Sequence, residues 1–395
     1  MGYSQVNQFK DGGLPFDSTT TYLIEPGGDR SDLSNALNMK FLQKIAFGGH
    51  IDSDLKESVR GKLDRENYYR GSMNPTISIS IFPEAKKIGY LFSYRYTNLM
   101  NVQFSDDLFK LIFYGNSYFP DQTANLSKSS LKNEVFQSLS FGLIHKKSGS
   151  FLSIGVYDGI DYRDFRLGPT AMATDYDNFN GEDYSQKVYF STEYAEFRES
   201  SKPYKPFGNG AGIGISGAYN FEKSDHSFRV AFTDLGFIYW NDLSFRDTSG
   251  QYEFSGFNWS PGESGRLNNV VESLVDSLIP ASSSVNEWIL LPGYVEINYY
   301  APAKKRLFLS ARALHYYGKD YYSEFSADLN VKFGTKNFLW LTAGVGDYSK
   351  YLLGLGTEFS FYERGVFRLG TRHILGFIDS EWTSTSIYFT YSHRL

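Results

Sequence analysis

The sequence predicts an all-β protein: a closed antiparallel transmembrane β-barrel of about 14 strands with a few short helical insertions. Three observations predict it. Apolar and polar residues alternate along segment after segment of the chain's second half. Those segments are long and separated by short turn signals. Aromatic residues, 18% of the 395-residue chain, crowd near many segment ends.

The alternation is cleanest from Ser323 to Phe333, where Phe325, Ala327, Leu329, Val331 and Phe333 share one parity and Glu324, Ser326, Asp328, Asn330 and Lys332 the other. That is a strand with one apolar and one polar face. Val295, Ile297 and Tyr299 repeat the pattern, as do Leu307, Leu309 and Ala311, then Leu353, Leu355 and Phe359, then Ile387, Phe389 and Tyr391. Turn signals such as Gly334-Thr335-Lys336 and Glu363-Arg364-Gly365 separate them. Residues 287–394 therefore read as an antiparallel meander of seven strands, with Leu329, Val331, Leu353, Leu355, Phe389 and Tyr391 facing outward.

Earlier strands are expected at 38–50, 75–83, 87–97, 131–146, 149–162, 186–197, 210–222 and 225–237. Helical spacing appears instead at 53–65 (Leu55, Val59, Leu63), at 105–114 (Leu108, Leu111, Ile112) and at 264–279 (Leu267, Val271, Leu274, Leu278). The last should be an amphipathic helix outside the wall. About fifteen strands emerge, and a closed bacterial barrel takes an even number, so one of the shorter early ones should fail. The expected organisation is an N-terminal segment, 1–35, as a candidate plug, and a barrel over 36–395. Its insertions fall at 51–74, 98–130, 164–185 and 238–286.

A soluble sandwich would also alternate. Length favours the membrane, since soluble strands usually run about 5–6 residues and spanning strands roughly 9–11. So do the aromatic pairs near strand ends, Tyr299-Tyr300, Tyr316-Tyr317 and Tyr321-Tyr322, where a ring sits in lipid and its hydroxyl in water. The absence of cysteine removes disulfide scaffolds, thiolate zinc sites and cysteine nucleophiles. Lys and Arg number 39 against 44 Asp and Glu, which offers no footprint for nucleic acid. The opening Met1-Gly2-Tyr3-Ser4 has neither a basic nor an apolar leader region, as in a cytoplasmic protein or in an exported one written without its signal.

Counting back by twos from Leu395 gives His393, Tyr391, Phe389 and Ile387. This resembles the C-terminal signal read by the barrel-assembly machinery, with Leu395 in place of the usual aromatic and His393 interrupting the apolar face. The stretch Ala231-Phe232-Thr233-Asp234-Leu235-Gly236-Phe237 and the later Gly250-Gln251-Tyr252-Glu253-Phe254 resemble an uncharacterised family of outer-membrane barrels from Bacteroidota. So do Tyr114-Gly115-Asn116-Ser117-Tyr118-Phe119 and Gln122-Thr123-Ala124-Asn125. That family is similar to fatty-acid-transporter-type barrels. The resemblance implies an outer-membrane location and a signal peptide missing from this sequence. It implies no activity.

Within the motif Thr233, Asp234, Leu235, Gly236 and Phe237, the carboxylate is odd. Asp234 shares parity with Phe228, Val230 and Phe232, so an unbroken strand would aim it at lipid. Either a bulge near Gly236 or the strand end brings it to the rim, or this wall meets a partner or an inward insertion. Gly212-Ile213-Gly214-Ile215-Ser216-Gly217 matches G-x-G-x-x-G, but no helix follows it and the dinucleotide reading fails. Gly208, Gly210, Gly212, Gly214 and Ser216 instead make a strip of small residues on the lumen face. Such a strip either lets something approach the wall closely or lets the wall curve.

The acidic run Thr174 to Asp183 lacks EF-hand spacing and reads as a solvated loop. The six His show no close pairs of metal-ligand spacing, and no Ser sits in a nucleophile elbow. No metal, cofactor or enzymatic activity is expected. The meander's polar face carries Glu324, Asp328, Arg312, Glu358, Arg368 and Arg372, a candidate ion-pair network in the lumen. A turn centred near Arg364 places Glu358 opposite Gly370 and diagonal to both Arg368 and Arg372.

Two classes of function follow. The first is a non-enzymatic accessory or structural subunit of a Bacteroidota outer-membrane complex, of the protein-export (type IX secretion) or gliding type. Its partners would be outer-membrane lipid and other outer-membrane or periplasmic proteins. The second is a transporter or channel for hydrophobic small molecules, as the likeness to fatty-acid-transporter barrels implies.

Overall fold

A computed structural model describes residues 21–84, 86–120, 122–176, 186–200, 203–224, 226–254, 283–304, 306–317, 322–334, 337–346, 348–361 and 364–395. Their strands close into one ring. The first half of the wall contains β1 (Tyr22–Ser34), β2 (Glu66–Met73), β3 (Thr76–Ile81), β4 (Ile88–Ser105), β5 (Thr123–Asn125), β6 (Ser130–His145), β7 (Phe151–Leu167), β8 (Thr170–Tyr176), β9 (Gln186–Ser200), β10 (Gly210–Lys223) and β11 (His226–Phe254). The second half contains β12 (Ser283–Leu290), β13 (Tyr294–Lys304), β14 (Leu307–Tyr316), β15 (Tyr322–Phe333), β16 (Asn337–Gly346), β17 (Lys350–Phe361), β18 (Gly365–Thr371) and β19 (Ser384–Arg394).

Five junctions are interruptions within a single wall strand. β2 runs into β3 at Asn74-Pro75, and the pair faces β4 in sequence. β5 and β6 keep one register against β8 and β7, and β7 with β8 keeps one register against β9. β9 and β10 fill successive stretches between β7 and β11, and β12 with β13 runs in one register along β11. Prolines mark three of these breaks (Pro75, Pro169, Pro292), because a proline cannot donate to the ladder. The nineteen segments therefore make a barrel of fourteen antiparallel strands, closed by β1 on β19 from Leu23↔Arg394 to Leu33↔Ser384. Among the described residues each of the fourteen strands pairs with a neighbour on both sides along at least part of its length, which is how strands satisfy their backbone in lipid.

The wall is apolar outside and charged inside. All fourteen strands expose large apolar side chains outward, Ile79, Phe92, Ile154, Ile213, Phe325, Leu353 and Phe389 among them. Arg95, Glu134, Asp234, Glu296, Arg312, Glu324, Glu358 and Arg368 are buried inside. This inverts a soluble protein and is the polarity of a barrel whose solvent is lipid. The seven strands from Tyr294 to Arg394 follow the expected meander, with Val331, Leu353, Phe389 and Tyr391 exposed and Glu358 in the lumen.

Both ends of the described chain lie at one end of the barrel, where connections are short: 82–87, 146–150, 224–225 and 334–336. The other, distal end carries three helices and is where the chain enters and leaves residues 177–185 and 255–282. α1 (Met39–Phe47), α2 (Ser53–Arg60) and α3 (Asp106–Tyr114) begin at Asn38, Asp52 and Ser105, whose side chains accept from the amides of Phe41, Leu55 and Leu108. Such caps satisfy otherwise orphaned N–H groups. The helices bury Met39, Phe41, Leu42, Leu55, Val59 and Phe109 against Leu37 and Phe104 as a cap on the rim. A four-residue helix, α4 (Leu375–Ile378), joins β18 to β19.

Several expectations are corrected. Residues 38–50 hold α1 rather than a strand, because Met39, Leu42 and Ile45 recur at a spacing that one helix face accommodates. Residues 1–35 are not a separate plug, since Tyr22–Ser34 is the first wall strand; residues 1–20 lie outside the described residues. The insertions expected at 51–74, 98–130, 164–185 and 238–286 are largely strand at their borders: β2, the end of β4, β8, and β11 out to Phe254. The strands expected at 186–197 and 210–222 are two halves of one. The amphipathic helix at 264–279 and residues 177–183 of the acidic run lie outside the described residues.

Candidate functional site

Within the meander charge pairs line the lumen, most between neighbouring strands and one between strands that are not neighbours. Arg312 on β14 reaches Glu296 on β13 at 2.7 Å and Glu324 on β15 at 3.2 Å. Arg372, just past β18, reaches the same Glu324 at 3.1 Å from three strands along the ring. Glu358 meets Arg368 at 2.5 Å. Asp328 accepts hydrogen bonds from Ser310 (2.9 Å) and Thr342 (2.6 Å). The expected register of β17 on β18 is corrected: Glu358 stands directly opposite Arg368, and Gly370 opposite Gly356. Phe361 stands opposite Gly365, so the pairing is centred one residue before Arg364, which draws Arg368 level with the carboxylate. Arg372 is thereby freed from Glu358 and bonds Glu324. Glu358 is 1% exposed and Glu324 3%, so these groups form a packed septum rather than the lining of a wide pore.

The motif Thr233–Phe237 sits at the second crossing. Between Ile215↔Leu235 and Gly217↔Phe232, β11 carries one residue more than β10, a β-bulge at Thr233-Asp234. Asp234 takes a left-handed conformation (φ 55°), which Asp tolerates better than most residues. The bulge turns its carboxylate from lipid into the lumen, where Arg95 on β4 meets it at 2.5 Å and the Tyr157 hydroxyl donates to it at 2.6 Å. Its amide donates to Ser216 Oγ at 3.0 Å. Leu235 and Phe237 stay outward. Gly236 admits no side chain, since an added Cβ would stand 2.1 Å from the Ile213 carbonyl.

Opposite this bulge, the strand formed by β12 and β13 breaks at Leu291-Pro292-Gly293. Leu291 turns inward and is 1% exposed, packed with Phe136, Tyr157, Tyr162, Ile238, Trp240 and Leu243. The strip of small residues makes room for this cluster: a Cβ on Gly210 would meet Ile238 and Trp240, and one on Gly214 would meet Leu291 and Tyr157. Something does approach the wall closely there, namely the barrel's own side chains. Tyr317, at the end of β14, lies over Gly293 and donates to the Thr233 carbonyl at 2.5 Å.

Beside the break is a cavity of ≈ 300 Å³. From the lumen it is lined by Arg70, Asn101, Glu134, Tyr162, Leu291 and Tyr316. From the outer face it is lined by Trp288 and Leu290, which are 63% and 62% exposed. Both faces of one strand can border one cavity only where that strand has a bare edge. Among the described residues β12 pairs with β11 alone, because β14 ends at the level of Tyr316-Tyr317. Arg70 enters the cavity stacked on the rings of Tyr316 (4.5 Å) and Tyr322 (4.8 Å), with one N–H on Asn101 (3.1 Å). Sequence reasoning missed this cavity; the Pro292-Gly293 pair within an otherwise alternating strand was the readable signal. Among the described residues no cluster of three or more His, Cys, Asp or Glu could hold a metal.

A profile for a family of unknown function, DUF5723, matches residues 33–363. The chain belongs to that family. No curated protein matches. Solved structures similar to the chain include a FadL homologue of Pseudomonas aeruginosa, at 11% identity over 94% of this chain and 89% of its own, with a TM-score of 0.44. The toluene transporter TodX of Pseudomonas putida is similar at 8% identity over 99% and 92%, with a TM-score of 0.38. The translocator domain of the autotransporter NalP from Neisseria meningitidis is similar at 10% identity over 99% and 94%, with a TM-score of 0.36. These likenesses are loose, and the fold rests on the strand pairing itself. Neither the family match nor these neighbours supports the Bacteroidota origin or the export or gliding complex expected from the sequence.

Proposed function

We propose that the protein is a non-enzymatic channel of the bacterial outer membrane for hydrophobic small molecules, which exchange through the barrel wall rather than along its axis. The observation that carries this reading is the cavity bordered by both faces of β12. Its outer mouth, at Trp288 and Leu290, continues the apolar belt, and its inner end is walled by Leu99, Ile289 and Leu291 beside the charged Arg70, Lys132 and Glu134. A route down the axis meets the septum of Arg312, Glu324 and Arg372, where an apolar molecule would displace paired charges. The short connections at one end and helices at the other match the periplasmic and extracellular sides of outer-membrane barrels.

The chain has no cysteine, so single cysteines can be placed without background. Trp288→Cys labelled with a bulky maleimide is expected to reduce uptake of a hydrophobic fluorescent probe into proteoliposomes to the protein-free level. The same label at Leu309→Cys, also outward but away from the cavity, leaves uptake unchanged. Equal uptake by both labelled proteins would overturn the wall route. The subunit reading has one surface in its favour, the exposed Phe47, Phe377, Ile378 and Trp382 at the distal end. Stoichiometric partners in a pull-down from native membranes would favour it.

A further inference from the structure

The wall cavity is bordered by one charge that the fold leaves without a counter-ion. Its charged lining residues are Arg70, Lys132, Glu134, Arg166 and Glu287. Lys132 pairs with Glu134 at 2.9 Å, Arg166 with Asp164 at 2.5 Å and Glu287 with Arg198 at 3.1 Å. Arg70 is 5% exposed, yet among the described residues no carboxylate lies within ion-pair distance of it. Tyr316 and Tyr322 hold its guanidinium from their ring faces, and its Nη1 donates to Asn101 Oδ1. The N–H groups on Nε and Nη2 have no acceptor among the described residues. They are not sealed in, as Arg312 Nε is, so they reach open space, and the open space beside Arg70 is this cavity. Nε and Nη2 form the side of a guanidinium that grips a carboxylate through two parallel bonds. Asn101 lines the cavity as well, and with its Oδ1 on Arg70 its amide N–H groups remain to donate.

A buried cation without a counter-ion is costly, and stacking on two rings offsets only part of that cost. The other lining charges cancel in pairs, so one negative charge completes the site. We propose that the cavity takes an aromatic monocarboxylate, its carboxylate on Nε and Nη2 of Arg70 and its ring among Tyr162, Trp288, Tyr316 and Tyr317. This rests on the reading of the cavity as the wall route and names what enters it. At ≈ 300 Å³ the cavity is about twice the size of the roughly 150 Å³ apolar cavity that takes up benzene, which leaves room for one ring and a short acid arm. The rings of the lining favour an aromatic body, which also loses less freedom on binding than an alkyl chain of equal carbon count. Lipid beyond Trp288 offers the carboxylate no counter-charge, so Arg70 draws the acid inward.

The test uses the whole chain in lipid nanodiscs, with 3-(4-fluorophenyl)propanoate and the neutral 4-fluorotoluene followed by ¹⁹F line broadening against empty nanodiscs. The acid is expected to bind more tightly than the neutral ring. Arg70→Met, which keeps an apolar stem against the tyrosines, weakens the acid by about ten- to a hundredfold, the range for losing hydrogen bonds to a charged group, and leaves 4-fluorotoluene unchanged. Arg70→Lys keeps the charge without the fork, weakens the acid less, and decides the matter if Arg70→Met fails to fold. Unlabelled 3-phenylpropanoate displaces the acid probe more effectively than nonanoate, which has the same number of carbons. Acid binding indifferent to both Arg70 variants, or nonanoate displacing the probe as well as 3-phenylpropanoate does, would overturn the proposal. The wall route is judged apart from this, by uptake past labelled Trp288→Cys. Blocked uptake with acid binding independent of Arg70 sinks the carboxylate site alone; unblocked uptake with acid binding dependent on Arg70 sinks the route alone.

Discussion

Arg312→Ala is expected to destabilise the barrel by about 3–5 kcal/mol in a detergent melt, the usual loss when one partner of a buried ion pair is removed. Arg312 lies between Glu296 and Glu324, and its removal leaves two buried carboxylates facing each other. Arg372 still reaches Glu324, but Glu296 keeps only Asn298 among its hydrogen-bond partners. Adding Glu296→Gln should recover part of the loss, because the uncompensated charge is what destabilises. Arg368→Ala should behave similarly through Glu358. A loss below about 1 kcal/mol would mean that water screens these pairs, as on a surface.

The second large effect is expected at Asp234. Asp234→Ala removes one ion-pair partner of Arg95, which is 8% exposed, and asks alanine to adopt a left-handed conformation. The lost ion pair is the larger effect, and the backbone adds about 1–2 kcal/mol. Asp234→Asn should lose clearly less. Asparagine tolerates the left-handed region, and its carbonyl still accepts from Tyr157 and Arg95. If the two variants melt together, the bulge rather than the ion pair holds this part of the wall.

How much of this was legible depended on where lipid touches the chain. Residues 294–394 carry an apolar face on every strand because both halves of the alternation have a use there, outward for lipid and inward for the septum. β11 beyond Trp240 read as a loop because Asp242, Asp247 and Gly250 lie in the distal extension, past the belt, where no lipid enforces alternation. β1 was hidden for a different reason: Pro26, Gly27 and Gly28 interrupt it, and its strand geometry comes from pairing with β19 and with β2 and β3 on either side. The site charges were legible by parity, their partners only within a hairpin. That Arg372 joins Glu324 and Arg95 joins Asp234 depends on ring closure, which brings together residues with no local relation. Asp234 itself looked misplaced because one extra residue in β11 flips its side, and strand parity read along a sequence carries straight through a bulge.

In the proposed channel the lumen is sealed and passage runs through the wall. Single-channel recording in planar bilayers, on the same preparation that takes up the hydrophobic probe, tests it most directly. The account predicts probe uptake with no stable ion-conducting steps, and the appearance of conductance only when Arg312 and Arg372 are both replaced by alanine. Stable conducting steps from the unmodified chain, insensitive to those two replacements, would contradict it.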